Sequence, residues 1–183
     1  APRFETPLWP LGTLPAGNLY ASTNDLGNFL ITVLNEGRFQ QREILNAAQM
    51  RAMLEPAVDE RGQPTLYGVG FRLGQLDGHR TFGHGGAVYG YATQVTGLPD
   101  EQIGVAAVAA LDVANGFVRR LSDYALQLML AAKSGQPLPE IETSAPLPQG
   151  RAQELEGTYE GDDKVVELYE FDDRLYALDN YTL

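Results

Sequence analysis

The chain has 183 residues, 44% of them hydrophobic and 20% charged, and it holds no apolar run long enough to span a membrane, so the composition predicts a globular protein. Its 13 Lys and Arg residues, against 24 Asp and Glu residues, form no cationic stripe, which argues against nucleic acid as a partner. The absence of cysteine excludes disulfides, thiolate zinc sites and cysteine nucleophiles, and it is compatible with an exported or a cytoplasmic protein.

The opening segment, APRFETPLWPLG, is proline-rich and has neither the basic start nor the apolar run of a signal peptide. It predicts that the chain is an internal piece of a longer protein. Any targeting signal of that parent would then precede Ala1.

Two amphipathic helices are predicted in the first third of the chain. Ser22 precedes an apolar series of helical spacing that ends before Gly37, so Ser22 is the predicted cap and Gly37 the left-handed end. Asn46 begins a second helix, which ends before Pro56 because the residue preceding a proline is pushed out of helical geometry. Residues 57–66 are polar and are predicted to be a loop.

A β-hairpin is predicted next. Residues 67–76, YGVGFRLGQL, alternate large side chains with glycine, which predicts a strand with one bulky and one bare face. The dipeptide DG that follows is a two-residue turn signal. A tight turn there pairs Leu73 with Phe82. It also pairs Phe71 with His84, which puts His84 on the bulky face.

Two further strands and a long helix complete the predicted main domain. Residues 91–98 are a strand candidate, and residues 103–111 are a continuous apolar run, typical of a strand buried on both faces. Residues 116–134 are predicted to be a helix that covers the sheet. Its predicted core-facing stripe consists of Phe117, Leu121, Tyr124, Ala125, Leu128 and Ala132. The predicted fold class is therefore α/β (α+β), an antiparallel sheet covered by helices.

Three regions are predicted along the chain. Residues 1–134 are the main domain, residues 135–150 are a proline-rich linker, and residues 151–183 are a segment of short β-strands. Asp172-Asp173 is a predicted hairpin turn in the last region. Its strands are too few to enclose a core by themselves.

The segment 83–91, GHGGAVYGY, fits no self-contained catalytic pattern. His79 and His84 are five residues apart on one strand and point to opposite faces, which argues against a zinc site. The segment also lacks the lysine of a phosphate-binding loop. None of the four serines lies in a G-x-S-x-G or Ser-x-x-Lys motif; they are Ser22, Ser122, Ser134 and Ser144.

The residues alone leave two interpretations of His84 open. In the first, His84 is a strand residue packed beside Phe71, and Gly85 and Gly86 mark a bulge or close strand packing. In the second, the glycines leave backbone N–H groups accessible at a strand edge, as oxyanion stabilisation of a substrate carbonyl requires. His84 would then position or polarise the bound group.

The order of these features resembles the C-terminal half of the serine β-lactamase and penicillin-binding-protein-like family, in particular its class C-like esterases, D-aminopeptidases and D,D-peptidases. The resemblance covers residues 15–134, and its most specific part is GHGG-x-x-x-G-Y. Sites of this family combine a Ser-x-x-Lys, a Tyr-x-Asn or Tyr-x-Ser, and a Lys-Thr-Gly or His-x-Gly strand. The chain matches only the third motif, and both other motifs are expected in an upstream half that it lacks.

The resemblance implies a role for each residue of the segment. His84 would hold the substrate and tune proton transfer, Gly86 would leave room for substrate along the strand, and the backbone N–H of Ala87 would be an oxyanion donor. The implied substrate-lining residues are Gly85, Tyr89 and Tyr91, with core packing as the alternative for the two tyrosines.

The resemblance also implies an activity for the parent protein. It would cleave a small ester, amide or D-amino-acid peptide through an acyl-enzyme, without a metal or cofactor. The 183 residues are expected to be inactive alone, because a missing nucleophile removes the covalent route; the missing N-terminal half is the expected partner. The tail from LEGTYEG resembles the start of a small lipocalin-like barrel. The alternative is a non-catalytic binding or regulatory module with the same half-fold.

Overall fold

The computed structural model describes residues 16–140, 147–161, 165–171 and 174–179. The chain divides into two units, one up to Pro139 and one from Glu140. The helices of the first unit are α1 (Thr23–Leu34), α2 (Ala47–Met53) and α3 (Asn115–Ser134). Its strands are β1 (Arg38–Phe39), β2 (Arg42–Glu43), β3 (Arg72–Leu76), β4 (His79–Val88), β5 (Tyr91–Leu98) and β6 (Ile103–Ala109). Among the described residues, no helix is both long and apolar enough to cross a membrane.

The first two helices begin where the sequence predicts. The Ser22 hydroxyl accepts the Asp25 N–H at 3.2 Å, and the Asp25 carboxylate accepts the Ser22 N–H at 3.0 Å, so the two residues form a capping box. Asn46 caps α2 by accepting a first-turn N–H at 2.9 Å. Gly37, beyond the end of α1, has a φ of +88°, and a Cβ there would lie 2.1 Å from the Leu45 carbonyl oxygen. Glycine is therefore required at that position.

Strands β3, β4, β5 and β6 form one antiparallel sheet in that order, and helices cover both of its faces. On the face that α1 covers, the buried core residues are Leu30, Val33, Met50, Phe71, Phe82 and Val95. On the other face α3 packs over Ala92 and Ala107. The predicted antiparallel sheet with helices on both sides is confirmed.

β3 begins at Arg72 and not at Tyr67, where the alternation places it. A tight turn precedes the strand, since Gly70 has a φ of +78° and the Gly68 N–H donates to the Phe71 carbonyl oxygen at 2.9 Å. The predicted bare glycine face is therefore wrong for these two glycines, because they lie in the turn and not in the sheet. The alternating pattern reflects a turn followed by a strand.

The hairpin between β3 and β4 forms at the predicted DG turn, with φ values of +49° and +83° at its two residues. Two left-handed residues are what a type I′ turn needs. Leu73 pairs with Phe82, as predicted. Phe71 precedes the ladder, so the predicted pairing of Phe71 with His84 is wrong.

α3 spans the predicted residues, but a different face of it packs on the sheet. Val118, Ser122 and Leu126 are buried. Phe117 and Leu121, which the sequence places in the core stripe, are 57% and 47% exposed. Each residue turns an α-helix by about 100°, so the predicted stripe is one position off. The polar Ser122 interrupts the buried stripe and makes the exposed one look more continuous in the sequence.

The second unit contains α4 (Arg151–Glu154), β7 (Gly157–Glu160), β8 (Val165–Phe171) and β9 (Arg174–Asp179). The three strands form one antiparallel sheet in chain order, which confirms the predicted strands. The predicted turn at Asp172-Asp173 lies outside the described residues. The lipocalin-like character of this unit stays a prediction.

Candidate functional site

The candidate site lies on the half of β4 that extends past β3. The last pair of the β3–β4 ladder joins Arg72 to Gly83, whereas the β4–β5 ladder continues to the pair Val88–Tyr91. Within the described residues, no strand pairs with residues 84–88 on the β3 side. This part of β4 therefore has one paired edge and one open flank.

The two hairpin loops determine which backbone groups of β4 face that flank. The residues that close a two-residue hairpin loop exchange hydrogen bonds, and bonded and non-bonded pairs then alternate along the ladder. Leu76 and His79 close the loop toward β3, and Val88 and Tyr91 close the loop toward β5. Odd-numbered residues of β4 therefore direct their N–H and C=O groups toward the β3 side, and even-numbered residues direct theirs toward β5.

Gly85 and Ala87 thus direct their backbone groups into the open flank, and His84 lies beside them. His84 is exposed, and its Nδ1–H donates to the Gly85 carbonyl oxygen at 2.6 Å. Because a carbonyl oxygen only accepts, Nδ1 carries a proton in this bond, and in the neutral ring Nε2 is then the acceptor. The exposure of His84 argues against a packed core residue, and the ring that buries Phe71 from the same strand is Phe82, with centroids 5.2 Å apart.

The glycines of the segment differ in how closely the neighbouring strand approaches them. A Cβ on Gly83 would lie 2.3 Å from the Val95 carbonyl oxygen, so no side chain fits there. A Cβ on Gly85 would meet a flexible amide side chain at 3.2 Å, and one on Gly86 would meet only the Thr93 Cβ at 3.7 Å. The β4–β5 register continues through all three without a bulge. Packing therefore requires glycine at Gly83, whereas Gly86 keeps its side of the strand bare.

Two residues that sequence reasoning missed connect this segment to the loop between β6 and α3. The Asn115 Nδ2 donates to the Gly86 carbonyl oxygen at 3.0 Å, and the Gly90 N–H donates to Asp112 Oδ1 at 2.6 Å. The paired residues are 29 and 22 positions apart in sequence, so no local pattern reports the contacts. The sequence marks these contacts only by Asp112 and Asn115, the two polar residues of the otherwise apolar segment LDVAN.

Tyr89 and Tyr91 lie at the end of the segment. Tyr89 is in the β4–β5 turn and is 78% exposed, and Tyr91 begins β5 and is 38% exposed. Tyr91 pairs with Val88 across the ladder. Val88 and His84 are four residues apart on β4 and so point to the same face of the sheet, which places Tyr91 on the same face as His84. Neither tyrosine is buried in the core, and their role as substrate-lining residues stays a prediction.

The two histidines are held apart. His79 lies at the other end of β4, where its Nδ1 is 3.1 Å from the Glu101 carboxylate, which also pairs with Lys133 at 3.2 Å. In the described part of the chain, no three His, Cys, Asp or Glu side chains come together as a metal site would require. The structure thus gives His79 a surface contact with Glu101 that is separate from the candidate site.

The serines belong to other elements of the fold. Ser22 caps α1, Ser122 is buried in α3, and Ser134 ends α3; Ser144 lies outside the described residues. One tripeptide, Tyr20-Ala21-Ser22, does have the Tyr-x-Ser form, so the expectation that the chain lacks this motif is wrong. Its serine hydroxyl donates to Asp25 at 2.7 Å as part of the α1 cap.

Comparison with known proteins gives a family and a set of distant structures. The profile of the Beta-lactamase family matches residues 1–130, and no curated protein sequence matches. The octameric penicillin-binding protein homologue from Pyrococcus abyssi is similar in structure, with a TM-score of 0.48 and 18% identity over 87% of this chain and 37% of that one. SurE, alone and with D-Leu, aligns with TM-scores of 0.45 and 20% identity, over 87% and 88% of this chain. The chain covers only 36% and 38% of those two structures.

The matched residues include the whole β3–β6 sheet and most of α3. The helices and antiparallel strands of the first unit agree with the α/β class of the β-lactamase and transpeptidase-like fold, which is a serine hydrolase-like fold. The chain belongs to the Beta-lactamase family.

Proposed function

We propose that the chain forms one wall of the active site of a serine hydrolase, which cleaves an ester or amide bond, including bonds to D-amino acids, through an acyl-enzyme. The observation that carries the proposal is the open flank of β4, where the Ala87 N–H and the His84 ring lie within four residues on a part of the strand that pairs with β5 alone among the described strands. Membership of the family supports the reaction class.

The Ala87 N–H is the proposed oxyanion donor. It is directed into the open flank, where an extended substrate can lie along β4 and bring its carbonyl oxygen within reach. A backbone donor held in a sheet needs no reorganisation when negative charge develops on that oxygen. Loss of one such donor costs about 2.7–4 kcal/mol of transition-state stabilisation. This single N–H would therefore supply a large part of the stabilisation that this side of the site gives to the transition state.

His84 is the proposed proton-transfer group of this wall. Its Nδ1 proton is directed to the Gly85 carbonyl oxygen, so Nε2 is the atom that accepts a proton from the reacting groups and returns it to the leaving group. General acid–base catalysis of this kind contributes about 10²–10⁴-fold to a rate. Gly86 leaves space for the substrate beside the strand, and Gly85, Tyr89 and Tyr91 line its path.

The proposed chemistry needs a nucleophile that these 183 residues do not supply. No Ser-x-x-Lys occurs in the sequence, and the described serines lie at helix ends or in the α3 core. We infer that the serine belongs to a segment or chain that closes the open flank of β4. The 183 residues alone are then inactive, and turnover by the isolated chain would contradict this inference.

A binding role is the second candidate, and the same open flank favours it. An extended peptide can add to an unpaired strand edge through main-chain hydrogen bonds alone. Such a module would need neither a nucleophile nor a proton acceptor at His84. It would bind peptides without cleaving them.

Hydrolysis assays on the full gene product that contains this chain separate the two candidates. We would measure kcat/KM for p-nitrophenyl esters, nitrocefin and a D-alanine p-nitroanilide in the wild type and in His84→Ala. His79→Ala is the matched control, because His79 lies on the same strand and pairs with Glu101 at the far end. We expect kcat/KM to fall by about 100-fold or more in His84→Ala and to stay near the wild-type value in the control.

An unchanged kcat/KM of His84→Ala on every substrate would refute the role of His84. Peptide binding by a wild-type protein that hydrolyses none of them would favour the binding module.

A further inference from the structure

We infer that Asn115 is a positioning residue for this site, which orients and polarises the backbone N–H of Ala87 through the Gly86 carbonyl group. The inference rests on the proposed function of Ala87 as the oxyanion donor. The observation behind it is the 3.0 Å hydrogen bond from Asn115 Nδ2 to the Gly86 carbonyl oxygen, which reaches β4 from the first residue of α3.

Asn115 acts on Ala87 through a single peptide group. The C=O of Gly86 and the N–H of Ala87 belong to one planar unit, and in a trans peptide the two bonds point in opposite directions. The Gly86 carbonyl group is turned toward β5, the strand over which α3 packs, and there it accepts the Asn115 amide. The Ala87 N–H therefore points into the open flank. A rotation of this peptide plane that misaligns the N–H also breaks the bond to Asn115.

The described sheet supports this peptide from one side only, through the ladder in which Gly86 pairs with Thr93, and Asn115 adds a second bond to the same carbonyl oxygen. The peptide lies past the end of β3, so β5 alone among the described strands pairs with it. Gly85 precedes this Gly86–Ala87 peptide, and the exposed Tyr89 and the turn residue Gly90, with a φ of +83°, follow it closely. The Gly90 N–H is in turn held by Asp112 at 2.6 Å. Asp112 and Asn115 thus hold the C-terminal end of β4 and the turn after it at two points.

The bond from Asn115 also strengthens the donor that it orients. Hydrogen bonds in a chain polarise one another, with a gain of about 10–30% per bond. When the Gly86 carbonyl oxygen accepts a bond, electron density moves toward that oxygen, and the N–H of the same amide becomes more positive. An oxyanion on the substrate would therefore meet a better aligned and more polar N–H.

Asn115→Asp is the most informative variant. It keeps the size of the side chain, removes the N–H donor and sets a carboxylate oxygen against the Gly86 carbonyl oxygen. The first turn of α3 has no acidic residue, and negative charge is favourable there because of the helix dipole. The fold should therefore keep its stability while the positioning bond is lost. Asn24→Asp is the matched control, since it adds the same charge to the first turn of α1.

Two measurements test the inference. In amide hydrogen exchange followed by NMR on this chain, we expect the amide of Gly86, which the β4–β5 ladder protects, to exchange about 2- to 10-fold faster in Asn115→Asp and Asn115→Ala, as the loss of one hydrogen bond implies. In the full gene product, we expect kcat on a p-nitrophenyl ester to fall by about 10- to 100-fold, with KM changed by less than about 2-fold. Asn24→Asp should match the wild type in both.

The outcomes separate this inference from the proposed function. If His84→Ala lowers kcat and Asn115→Asp leaves it unchanged, the positioning role is refuted and the proposed function stands. An unchanged exchange rate at Gly86 in Asn115→Asp also refutes it, whatever the kinetics. If the wild-type gene product hydrolyses none of the substrates, the proposed function fails and the role of Asn115 fails with it.

Discussion

We expect Gly83→Ala to destabilise the first unit by about 3 kcal/mol or more. The added Cβ would lie 2.3 Å from the Val95 carbonyl oxygen and 3.2 Å from the Thr96 Cα. Both are backbone atoms of the paired strand, so no rotamer change relieves the contact. Ordinary contact begins at 3.4 Å, which means that β4 and β5 must separate by about 1 Å at this point. Two or three ladder hydrogen bonds would stretch, each worth about 0.5–1.5 kcal/mol, and Phe82, 1% exposed, would shift in the core.

Urea unfolding followed by circular dichroism measures this effect, with Gly86→Ala as the control. A Cβ on Gly86 meets nothing closer than the Thr93 Cβ at 3.7 Å, so this variant should be as stable as the wild type or more stable by up to about 1 kcal/mol. For an m value of about 1–3 kcal/mol per molar urea, a loss of about 3 kcal/mol lowers the midpoint by about 1–3 M. An unchanged midpoint for Gly83→Ala would show that the inferred strand spacing is wrong.

Two further predictions concern α3. Ser122 is fully buried and, within the described residues, its hydroxyl has no hydrogen-bond partner, so Ser122→Ala should raise the free energy of unfolding by about 1 kcal/mol, seen as a higher Tm. Burial raises the pKa of Asp123, against the effect of Arg119 and with a smaller contribution from Asp77 in the same direction. Since its folded-state pKa lies above the unfolded value of about 3.9, the carboxylate weakens the fold at neutral pH, and Asp123→Asn should stabilise the protein at pH 7. That gain should vanish as the pH falls below the unfolded-state pKa, and an equal gain at pH 3 would contradict the assignment.

Interactions within a few residues determined the parts of the fold that the sequence predicts correctly. The α1 cap forms between Ser22 and Asp25, Asn46 caps α2 within its first turn, and the DG dipeptide forms its own left-handed turn. The bounds of β5 are likewise as predicted, because a turn encloses the strand at each end. Each of these signals acts over four residues or fewer, so a single sequence suffices to locate them.

Tertiary packing decided which face of an element is buried and where β3 starts. α3 carries two apolar stripes, and only contact with Ala92 and Ala107 selects the one through Val118 and Leu126. The strand expected from Tyr67 is interrupted because the chain turns at Gly70. Periodicity shows that an amphipathic element exists, but the partner that covers it lies far away in sequence.

For the candidate site, too, some features follow from the local sequence and others from contacts between distant residues. The GHGG motif and its family resemblance singled out His84, Gly86 and Ala87 from the sequence alone. The direction of the Ala87 N–H depends on the order of the strands, and its support by Asn115 depends on a contact across 29 residues. The motif therefore predicts which residues form the strand of the site. The direction of their backbone groups and the contacts that support them follow from the fold, because hydrogen bonds between strands and helices far apart in sequence set both.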